Sequence, residues 1–501
     1  MKKLFFIHIK KNYVMMLLPI MLMMGILSLS AQNQKPVDTK VNIKPVCPWL
    51  IHSENFTGPC RVSPAMPLTL SETKEEQKKQ REAFLESLKE NISSNARILS
   101  PVTIEYDPSN DFKIELDQWE KLEEEMNETD AIMLSGYIRA YGIGKYRKPV
   151  INHPSHGVGN VDIASYLRYK GVEGYAPYDW KDLNDLIALL RVRKAVQQTK
   201  LLYLTDRPGG KPTFGVKSII PAKILEEKYG IDFKYVSFAE FLDEWDRVAS
   251  DQELQKKAEQ IADNLVRNAE AVHIKKENIM NDVNFYLTVK ELMKTYDCNS
   301  FTVDCFEFCP TKIPYNKKFN PCLTHSLLKD EGYPSVCEGD LNALLAMAIE
   351  MYLSNKSAYM GNPNFERDEN IMTIHHSDLG LKFKGLDRTE IPPYEIQYFT
   401  EDGVGAIIRY DFTLDKGETI TFARFNPAGT KLLVSSGTIV EGTGMDSHGC
   451  GLTIHIKIPD AARFFKEQAN TGHHLSVVYG DYTQELKQLG EIMGFETICI
   501  E

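Results

Sequence analysis

The sequence predicts an α/β protein with two parallel-sheet α/β domains followed by a C-terminal antiparallel β-barrel-like domain. The chain has 501 residues, whereas one domain usually holds about 100–200. Between residues 97 and 355, apolar strand patterns alternate with helical patterns, as in parallel sheets whose strands are joined by helices. After Pro392, short alternating runs follow one another closely, which is typical of antiparallel strands.

The first 31 residues have the layout of a secretory signal peptide. Lysines at positions 2, 3, 10 and 11 precede an almost wholly apolar run over residues 14–29, and small residues lead to Ala31. We therefore expect cleavage near residue 31 and export to the periplasm. A retained membrane anchor is the alternative, although the apolar run is shorter than the ~20 residues that span a bilayer comfortably.

The rest of the chain divides by composition into a leader and three domains. Residues 32–96 are predicted as an extended, proline-rich leader and a helix over 71–94 that begins near Ser71. The N-terminal α/β domain is expected at 97–198, the second α/β domain at 199–355 and the barrel-like domain at 356–501. Of the nine cysteines, Cys47 and Cys60 could pair, and most others are interpreted as small buried residues.

Periodicity places the elements inside these domains. The predicted strands before residue 310 are 97–106, 131–135, 149–152, 200–205, 233–237 and 301–306. The predicted helices are 112–127, 180–196, 218–229, 250–272, 275–296 and 340–353. The barrel-like domain is expected to contain strands 395–399, 405–412, 419–425, 430–435 and 452–458, and to end in strand 475–479, helix 483–493 and strand 497–500.

The formal net charge of −11 argues against nucleic-acid binding, because phosphate recognition needs a basic face. Three carboxylates instead stand at the ends of predicted elements: one closes a strand, where ligands of parallel sheets gather, and two precede a helix. Glu307 closes the run FTVDCFEFCP, and Glu338 and Asp340 precede a strongly apolar helix. By position alone, Glu307 could be a solvated loop residue and Asp340 a helix cap.

Two histidine pairs lie at strand edges downstream of these carboxylates. His375 and His376 end the run MTIHH, and His473 and His474 open the run GHHLSVVYG. A single histidine is more often packed or exposed than a metal ligand. Mixed carboxylate and imidazole ligands, however, suit Mn²⁺, Co²⁺ or Fe²⁺.

These residues carry a family resemblance. The segments VDCFEFCP, PCLTHSLLKDEGYPSVCEGDLNALLAMAIEMYLS, YMGNP and MTIHHSDLG, with the tail GHHLSVVYGDYTQELKQLGEIMGFETICIE, resemble the fucose isomerase-like proteins of the L-fucose and L-arabinose isomerase superfamily. The resemblance covers about residues 97–501 and is specific from 301 onward. It implies a metal-dependent aldose–ketose isomerase, an intramolecular oxidoreductase, that acts on a small fucose- or arabinose-like sugar through an enediol.

The resemblance also implies roles for individual residues. Glu307 and Asp340 would be catalytic carboxylates that also bind Mn²⁺ or another divalent cation. His474 would be a further metal ligand and His375 an additional one, whereas relatives commonly have Cys at the position of His376. His473 stands where fucose isomerases have a substrate-binding Asn. Relatives build their sites between subunits, so a homo-oligomer is expected.

This chemistry has a physical basis and leaves rivals open. A divalent cation stabilises the developing enediolate, and a carboxylate carries the proton between the two carbons. A non-catalytic exported sugar-binding protein on the same fold is the main alternative. A metal-dependent glycan hydrolase, which would need a carboxylate pair flanking a glycosidic bond, and a purely structural periplasmic protein are further ones.

Overall fold

A computed structural model describes residues 35–50, 70–106, 116–136, 142–155, 157–208 and 221–501. The expected signal peptide and Cys60 lie outside these residues. Within the described residues, the chain forms two compact units: residues 39–195 with 488–494, and residues 196–487 with 35–38 and 495–501. None of the helices within the described ranges combines the length and apolar character that a membrane crossing needs.

The first unit is built on a parallel sheet whose strand order is β2-β1-β4-β5-β6, with β3 also pairing with β1. Apolar side chains pack on both faces of the sheet, as expected when helices cover a parallel sheet on each side. Its strands are β1 Val41–Leu50, β2 Ala96–Ile98, β3 Val102–Tyr106, β4 Ala131–Leu134, β5 Val150–Asn152 and β6 Gly174–Tyr175. The accompanying helices are α1 Leu70–Asn91, α2 Leu116–Glu123, α3 Val158–Tyr169 and α4 Trp180–Gln197.

The expected leader differs from the structure at β1. This strand pairs with β4 on one side and with β2 and β3 on the other, so it lies inside the sheet. Its sequence contains Pro45 and Pro48, which donate no ladder hydrogen bond and argue against an inner strand. The prolines explain why the pattern of this segment suggests an extended leader.

The second unit begins with a four-stranded parallel sheet in the order β11-β10-β7-β8, as predicted for an α/β domain. The strands are β7 Lys200–Leu204, β8 Asp232–Val236, β9 Ala271–Val272, β10 Ser300–Val303 and β11 Ser335–Cys337. The helices are α5 Ala222–Tyr229, α6 Phe238–Ser250, α7 Gln252–Asn268, α8 Lys276–Thr295, α9 Cys305–Phe308, α10 Ile313–Lys317, α11 Cys322–Asp330 and α12 Leu341–Ser354. Helix α6 is not among the predicted helices, although Ser237 caps it and Phe238, Phe241 and Trp245 form its buried face.

The C-terminal part contains the predicted antiparallel barrel. Six strands close a ring in the order β16-β19-β12-β13-β18-β17, and β17 pairs back with β16. The strands are β12 Tyr359–Glu366, β13 Ile371–His376, β14 Glu395–Tyr398, β15 Ala406–Arg409, β16 Thr419–Phe425, β17 Lys431–Thr443, β18 Leu452–Lys457, β19 Leu475–Tyr479 and β20 Glu496–Ile500. Helices α13 Ala461–Gln468 and α14 Thr483–Met493 complete it. The predicted fold class is therefore confirmed.

Two details of the barrel differ from the expectation. Strands β14 and β15 pair with β9 in a separate three-stranded sheet, so they are not part of the ring. Helix α12, expected to close a separate α/β domain, packs against the barrel strands β16 and β19. It is apolar on nearly every face because the barrel covers what the parallel sheet does not. The same contact brings the start of α12 to the barrel.

Candidate functional site

The candidate site forms at the carboxyl end of β11, where the chain turns into α12. Glu338 and Gly339 are both in the left-handed region, with φ of 63° and 62°. A side chain at Gly339 is excluded, since a Cβ there would lie 2.4 Å from Tyr203 Oη. For Glu338 this conformation costs on the order of 1–3 kcal/mol, and such strain clusters at functional sites. The turn places the Glu338 carboxylate between two buried histidines.

The first histidine, His474, is fixed by Asp340 at the N-terminus of α12. Asp340 Oδ1 accepts the backbone N–H groups of Asn342 and Ala343, which caps the helix. Asp340 Oδ2 accepts hydrogen bonds from His474 Nδ1 and Arg424 Nη1, each at 2.8 Å. His474, Asp340 and Arg424 are all fully buried. Because Nδ1 is held by the carboxylate, Nε2 of His474 faces Glu338 Oε2 at 3.7 Å.

The second histidine, His376, ends β13 and has a similar but looser arrangement. Its Nδ1 lies 3.5 Å from Asp378 Oδ1, and its Nε2 lies 3.8 Å from Glu338 Oε1. Asp378 Oδ2 accepts a 2.8 Å hydrogen bond from Lys329 Nζ, and all three side chains are fully buried. Each oxygen of Glu338 thus faces one imidazole, and each imidazole has an aspartate behind it. We call these the Asp340 arm and the Asp378 arm.

Buried charges set the protonation of both arms. Burial raises the pKa of Asp340, but Arg424 and the His474 hydrogen bond outweigh it and hold the pKa of that carboxyl well below its usual range. The pKa of Asp378 is likewise raised by burial but lowered overall by Lys329 and His376. Both aspartates are therefore ionised at neutral pH, so neither is poised to pick up a substrate proton.

The residues at this site fit a divalent cation. Nε2 of His474 and both ring nitrogens of His376 have no hydrogen-bond partner within the described part of the chain, although each is buried. Ligand atoms of Glu338, His473 and His474 lie within 4.8 Å of one another, as do those of Cys337, Glu338 and His376. A mixed set of carboxylate, imidazole and thiol suits a first-row transition ion better than Mg²⁺ or Ca²⁺. The structure is thus compatible with the expected cation, without identifying it.

The structure brings only some of the expected ligands and catalytic carboxylates together. Asp340 and His474 are brought together, but both oxygens of Asp340 are already used within the protein. Glu307 lies in the helical turn α9 after β10, where a strand end was expected. Its Oε2 accepts the Thr205 hydroxyl at 2.5 Å and its Oε1 accepts the Asp206 N–H at 3.0 Å. Glu307 is not among the groups of clustered ligand atoms found in the described residues.

His375 and His473, which adjoin the two buried histidines in sequence, have different surroundings. His375 is the strand neighbour of His376, and adjacent side chains on a strand point to opposite faces. His375 is only half-buried and contacts Asn364 Nδ2 at 3.4 Å through Nδ1. His473 lies against His474, with ring centroids 4.0 Å apart. Burial and the nearby His474 lower the pKa of His473 to about 4, so its imidazole is neutral at neutral pH.

Sequence reasoning noted Glu338 and His376 but did not select them, although each left a signal. Glu338 stands in Cys-Glu-Gly-Asp, where a carboxylate follows a buried strand and a glycine allows the tight turn. His376 shares its strand parity with Met372 and Ile374, which are fully buried. Parity alone therefore predicts that His376 points inward and His375 outward.

Comparisons with known proteins point to sugar isomerases. A sulfoquinovose isomerase of Priestia aryabhattai is 25% identical over 188 residues, which cover 35% of this chain and 39% of the relative. Those of Alkalicoccus urumqiensis and Clostridium sp. (strain MSTE9) are 25% and 24% identical over 190 and 186 residues, each covering 36% of this chain and 40% of the relative. No family model matches the chain. The match thus spans about two fifths of the relatives' length, and over that stretch the chain is similar to sugar isomerases.

Proposed function

We propose that the protein is an aldose–ketose isomerase whose divalent cation is held by Glu338, His376 and His474. The main support for this proposal is the arrangement of one carboxylate and two histidines. A strained carboxylate lies between two buried imidazoles whose inner nitrogens have no partner in the described chain, and each imidazole is backed by an ionised aspartate. Carboxylate–histidine–metal arrangements of this kind orient the ligand ring and raise its basicity.

The bound cation would supply Lewis-acid stabilisation of the charge that develops on the two sugar oxygens. The remaining roles belong to side chains of the protein. Glu338 and the two histidines would hold the site, while Asp340 and Asp378 orient the imidazoles rather than move protons. This changes the role expected for Asp340, because its oxygens are saturated by the helix N-terminus, Arg424 and His474.

Glu307 remains the proposed proton carrier. It follows β10, which is the neighbour of β11 in the parallel sheet. Glu307 and Glu338 therefore lie at the same edge of that sheet. Thr205 and the Asp206 N–H fix its orientation, and its side chain is only 7% exposed. A fixed carboxylate at this edge fits the transfer of a proton between adjacent sugar carbons.

The sugar itself is proposed to lie in a groove that begins at His473. The groove has a volume of about 590 Å³ and is lined by Phe365, Phe465, Lys466 and His473, among others. Aromatic faces and a neutral imidazole suit the apolar and hydroxyl faces of a sugar. The Lys466 ammonium adds a positive charge, which fits a sulfonated aldose such as the one named for the relatives better than neutral fucose or arabinose.

The test is a comparison of substrates in heavy water. Purified protein loaded with Mn²⁺ is incubated with sulfoquinovose, glucose, fucose and arabinose, and ketose formation and deuterium at the reacting carbons are followed by NMR. We expect turnover of sulfoquinovose above that of glucose. Lys466→Met should reduce this preference, while Lys457→Met, on the exposed end of β18, should not. Cation binding with no ketose from any sugar would refute isomerisation and favour the sugar-binding alternative.

We also propose that the protein is exported after cleavage of its N-terminal segment and that it forms a homo-oligomer. Removal of about 31 residues would be seen by N-terminal sequencing of protein from the native host. Sedimentation of the mature protein would report its oligomeric state. A cytoplasmic protein that retains Met1 would rule out export, and a monomer at assay concentration would rule out a required oligomer.

A further inference from the structure

The side of the site next to His376 holds several cysteines, of which two are buried and two are partly buried. Cys337, which ends β11, and Cys305, which follows β10, come together because these two parallel strands are neighbours. Their sulfur atoms are 3.2 Å apart. The sulfur atoms of Cys322 and Cys450 lie 3.0 and 3.7 Å from the Ser377 hydroxyl. None of these thiols has a role in the isomerisation proposed above.

Cys337 differs from the other thiols by its place beside the cation ligands. Its sulfur belongs to the group whose ligand atoms, with those of Glu338 and His376, lie within 4.8 Å of one another. The side chain is 3% exposed, so water does not compete freely for this position. The neighbouring His376 is buried with both ring nitrogens unpartnered within the described residues, which is an independent sign that a ligand belongs here.

We propose that Cys337 is a thiolate ligand of the cation and that Cys305 competes for it by forming a disulfide. The proposal rests on the proposed cation site and extends it, because it assigns a ligand that decides which metal binds. A thiolate with an imidazole and a carboxylate favours Zn²⁺, Co²⁺ or Fe²⁺ over Mg²⁺ and Ca²⁺. Binding would release the thiol proton of Cys337 to solvent.

The disulfide uses an external two-electron oxidant such as a peroxide. The thiols of Cys305 and Cys337 lose two protons and two electrons and form one S–S bond, while hydrogen peroxide takes them up and leaves as two waters. Cys337 can then no longer act as a thiolate ligand. Oxidation and cation binding therefore exclude each other at this residue.

The first experiment measures zinc coordination and needs no turnover. Reduced, metal-free protein is loaded with one equivalent of Zn²⁺ and examined by X-ray absorption at the zinc edge. We expect one sulfur at about 2.3 Å together with nitrogen or oxygen at about 2.0–2.2 Å. Cys337→Ser should lose the sulfur and bind zinc at least about tenfold more weakly, because a soft ligand is gone.

Cys322→Ser is the matched control, since Cys322 is also 3% exposed and lies nearby but is not in the ligand group. It should keep the sulfur. A wild-type spectrum with no sulfur, or a sulfur that persists in Cys337→Ser, would overturn the assignment without bearing on isomerisation. Absence of ketose formation with the sulfur present would instead overturn the proposed function alone.

The second experiment tests whether Cys305 competes with the cation for Cys337. Metal-free wild type and Cys305→Ser are treated with the azo oxidant diamide, which takes up two hydrogens, and are then titrated with Zn²⁺. We expect peptide mapping to find the Cys305–Cys337 bond in the wild type and its zinc affinity to fall to that of Cys337→Ser. Cys305→Ser should keep its affinity. Failure of the bond to form, or an equal fall in both proteins, would overturn the role of Cys305.

Discussion

The Asp340 arm and the Asp378 arm present the same groups to Glu338 but hold them differently. In the Asp340 arm, the aspartate–histidine contact is a 2.8 Å hydrogen bond, and Arg424 also bonds the backbone carbonyls of Thr471 and His474. In the Asp378 arm, the corresponding contact is 3.5 Å, and Lys329 contributes a single hydrogen bond. The Asp340 arm is a closed network of hydrogen bonds, whereas in the Asp378 arm the aspartate bonds the lysine but only approaches the histidine.

The difference follows from the elements that carry each arm. Asp340 caps a 14-residue helix, and His474 directly precedes a strand of the closed barrel, so both adjoin regular structure. Asp378 follows the end of β13 in a segment without regular structure. If the two histidines hold a cation as proposed, the Asp340 arm would fix its imidazole through a hydrogen bond that the Asp378 arm lacks. Substitutions in and around the two arms test this difference.

The largest effect is expected from Glu338, the residue that the two arms share. Glu338→Gln removes the negative charge between two imidazoles while keeping the size of the side chain. We expect a large loss of cation affinity and a fall in isomerisation of about 10³-fold, the upper end for loss of one electrostatic contact in an active site. Zinc titration and the NMR assay measure the two effects. Glu366→Gln, at the exposed end of β12, is the control, and equal behaviour of the two variants would remove Glu338 from the site.

Glu307 lies outside both arms, so its substitution should lower the isomerisation rate without weakening cation binding. Glu307→Gln keeps an oxygen toward Thr205 or the Asp206 N–H but removes the base. We expect cation affinity within about twofold of the wild type and a rate loss of about 10²–10⁴, the usual worth of a positioned general base. The measurements are a cation titration and kcat for the best sugar. Wild-type turnover in this variant would show that another group carries the proton.

The contrast between the arms explains how far the sequence could predict the site. The pairing of Asp340 with His474 is expected from motifs, since a helix start and a strand edge are readable from local patterns. Their joint contact with Arg424, 84 residues after Asp340, depends on α12 packing against the barrel, which local periodicity does not encode. The selection of His375 over His376 follows resemblance, whereas strand parity selects His376.

The same limit applies to the fold. Alternating patterns identify the parallel sheets and the barrel strands because burial on one or both faces leaves a short-range signal. Strand β1 escapes this pattern since its prolines outweigh its apolar residues. Its place in the sheet is set by partners remote in sequence, as in the register of Val41 with Ala96 and of Val46 with Leu134. Strands β14 and β15 are assigned to the barrel by their pattern because the pairing with β9 is equally remote.

Removal of the aspartates tests the two arms directly. Asp340→Asn keeps a good helix cap but weakens the bonds to His474 and Arg424. We expect cation affinity to fall about 10–100-fold, the usual cost of losing a group that orients a metal-binding histidine. Asp378→Asn should cost less in affinity because no hydrogen bond to His376 is lost.

Both variants leave a buried cation, Arg424 or Lys329, without its carboxylate partner, so both should lose stability by about 3–5 kcal/mol. Denaturant unfolding separates that shared loss from the difference in affinity. Zinc titration of the two variants under the same conditions then gives the comparison. An affinity loss in Asp378→Asn equal to or greater than that in Asp340→Asn would show that the 3.5 Å arm is as important for binding as the bonded one.

The smallest effect concerns the support behind the Asp340 arm. Glu350 lies on α12, which Asp340 caps, and accepts a hydrogen bond from Ser476, two residues after His474. Burial raises the pKa of Glu350 to about 8, above its value in the unfolded chain, despite the opposing Ser476 hydrogen bond. Between about pH 4.5 and pH 8 the unfolded chain therefore binds fewer protons than the folded one, and stability falls as pH rises.

Glu350→Gln keeps the hydrogen-bonding shape and removes the ionisation. We expect it to be more stable than the wild type by about 4 kcal/mol at pH 8 and by less than about 1 kcal/mol at pH 5, where the wild-type carboxyl is neutral in the folded state. Urea unfolding at the two pH values measures this, with Glu366→Gln as an exposed control. Because the amide would preserve the link between α12 and β19, zinc affinity should stay unchanged. A gain in stability of the same size at both pH values would mean that the benefit does not come from ionisation, and a fall in zinc affinity would mean that the carboxyl itself supports the Asp340 arm.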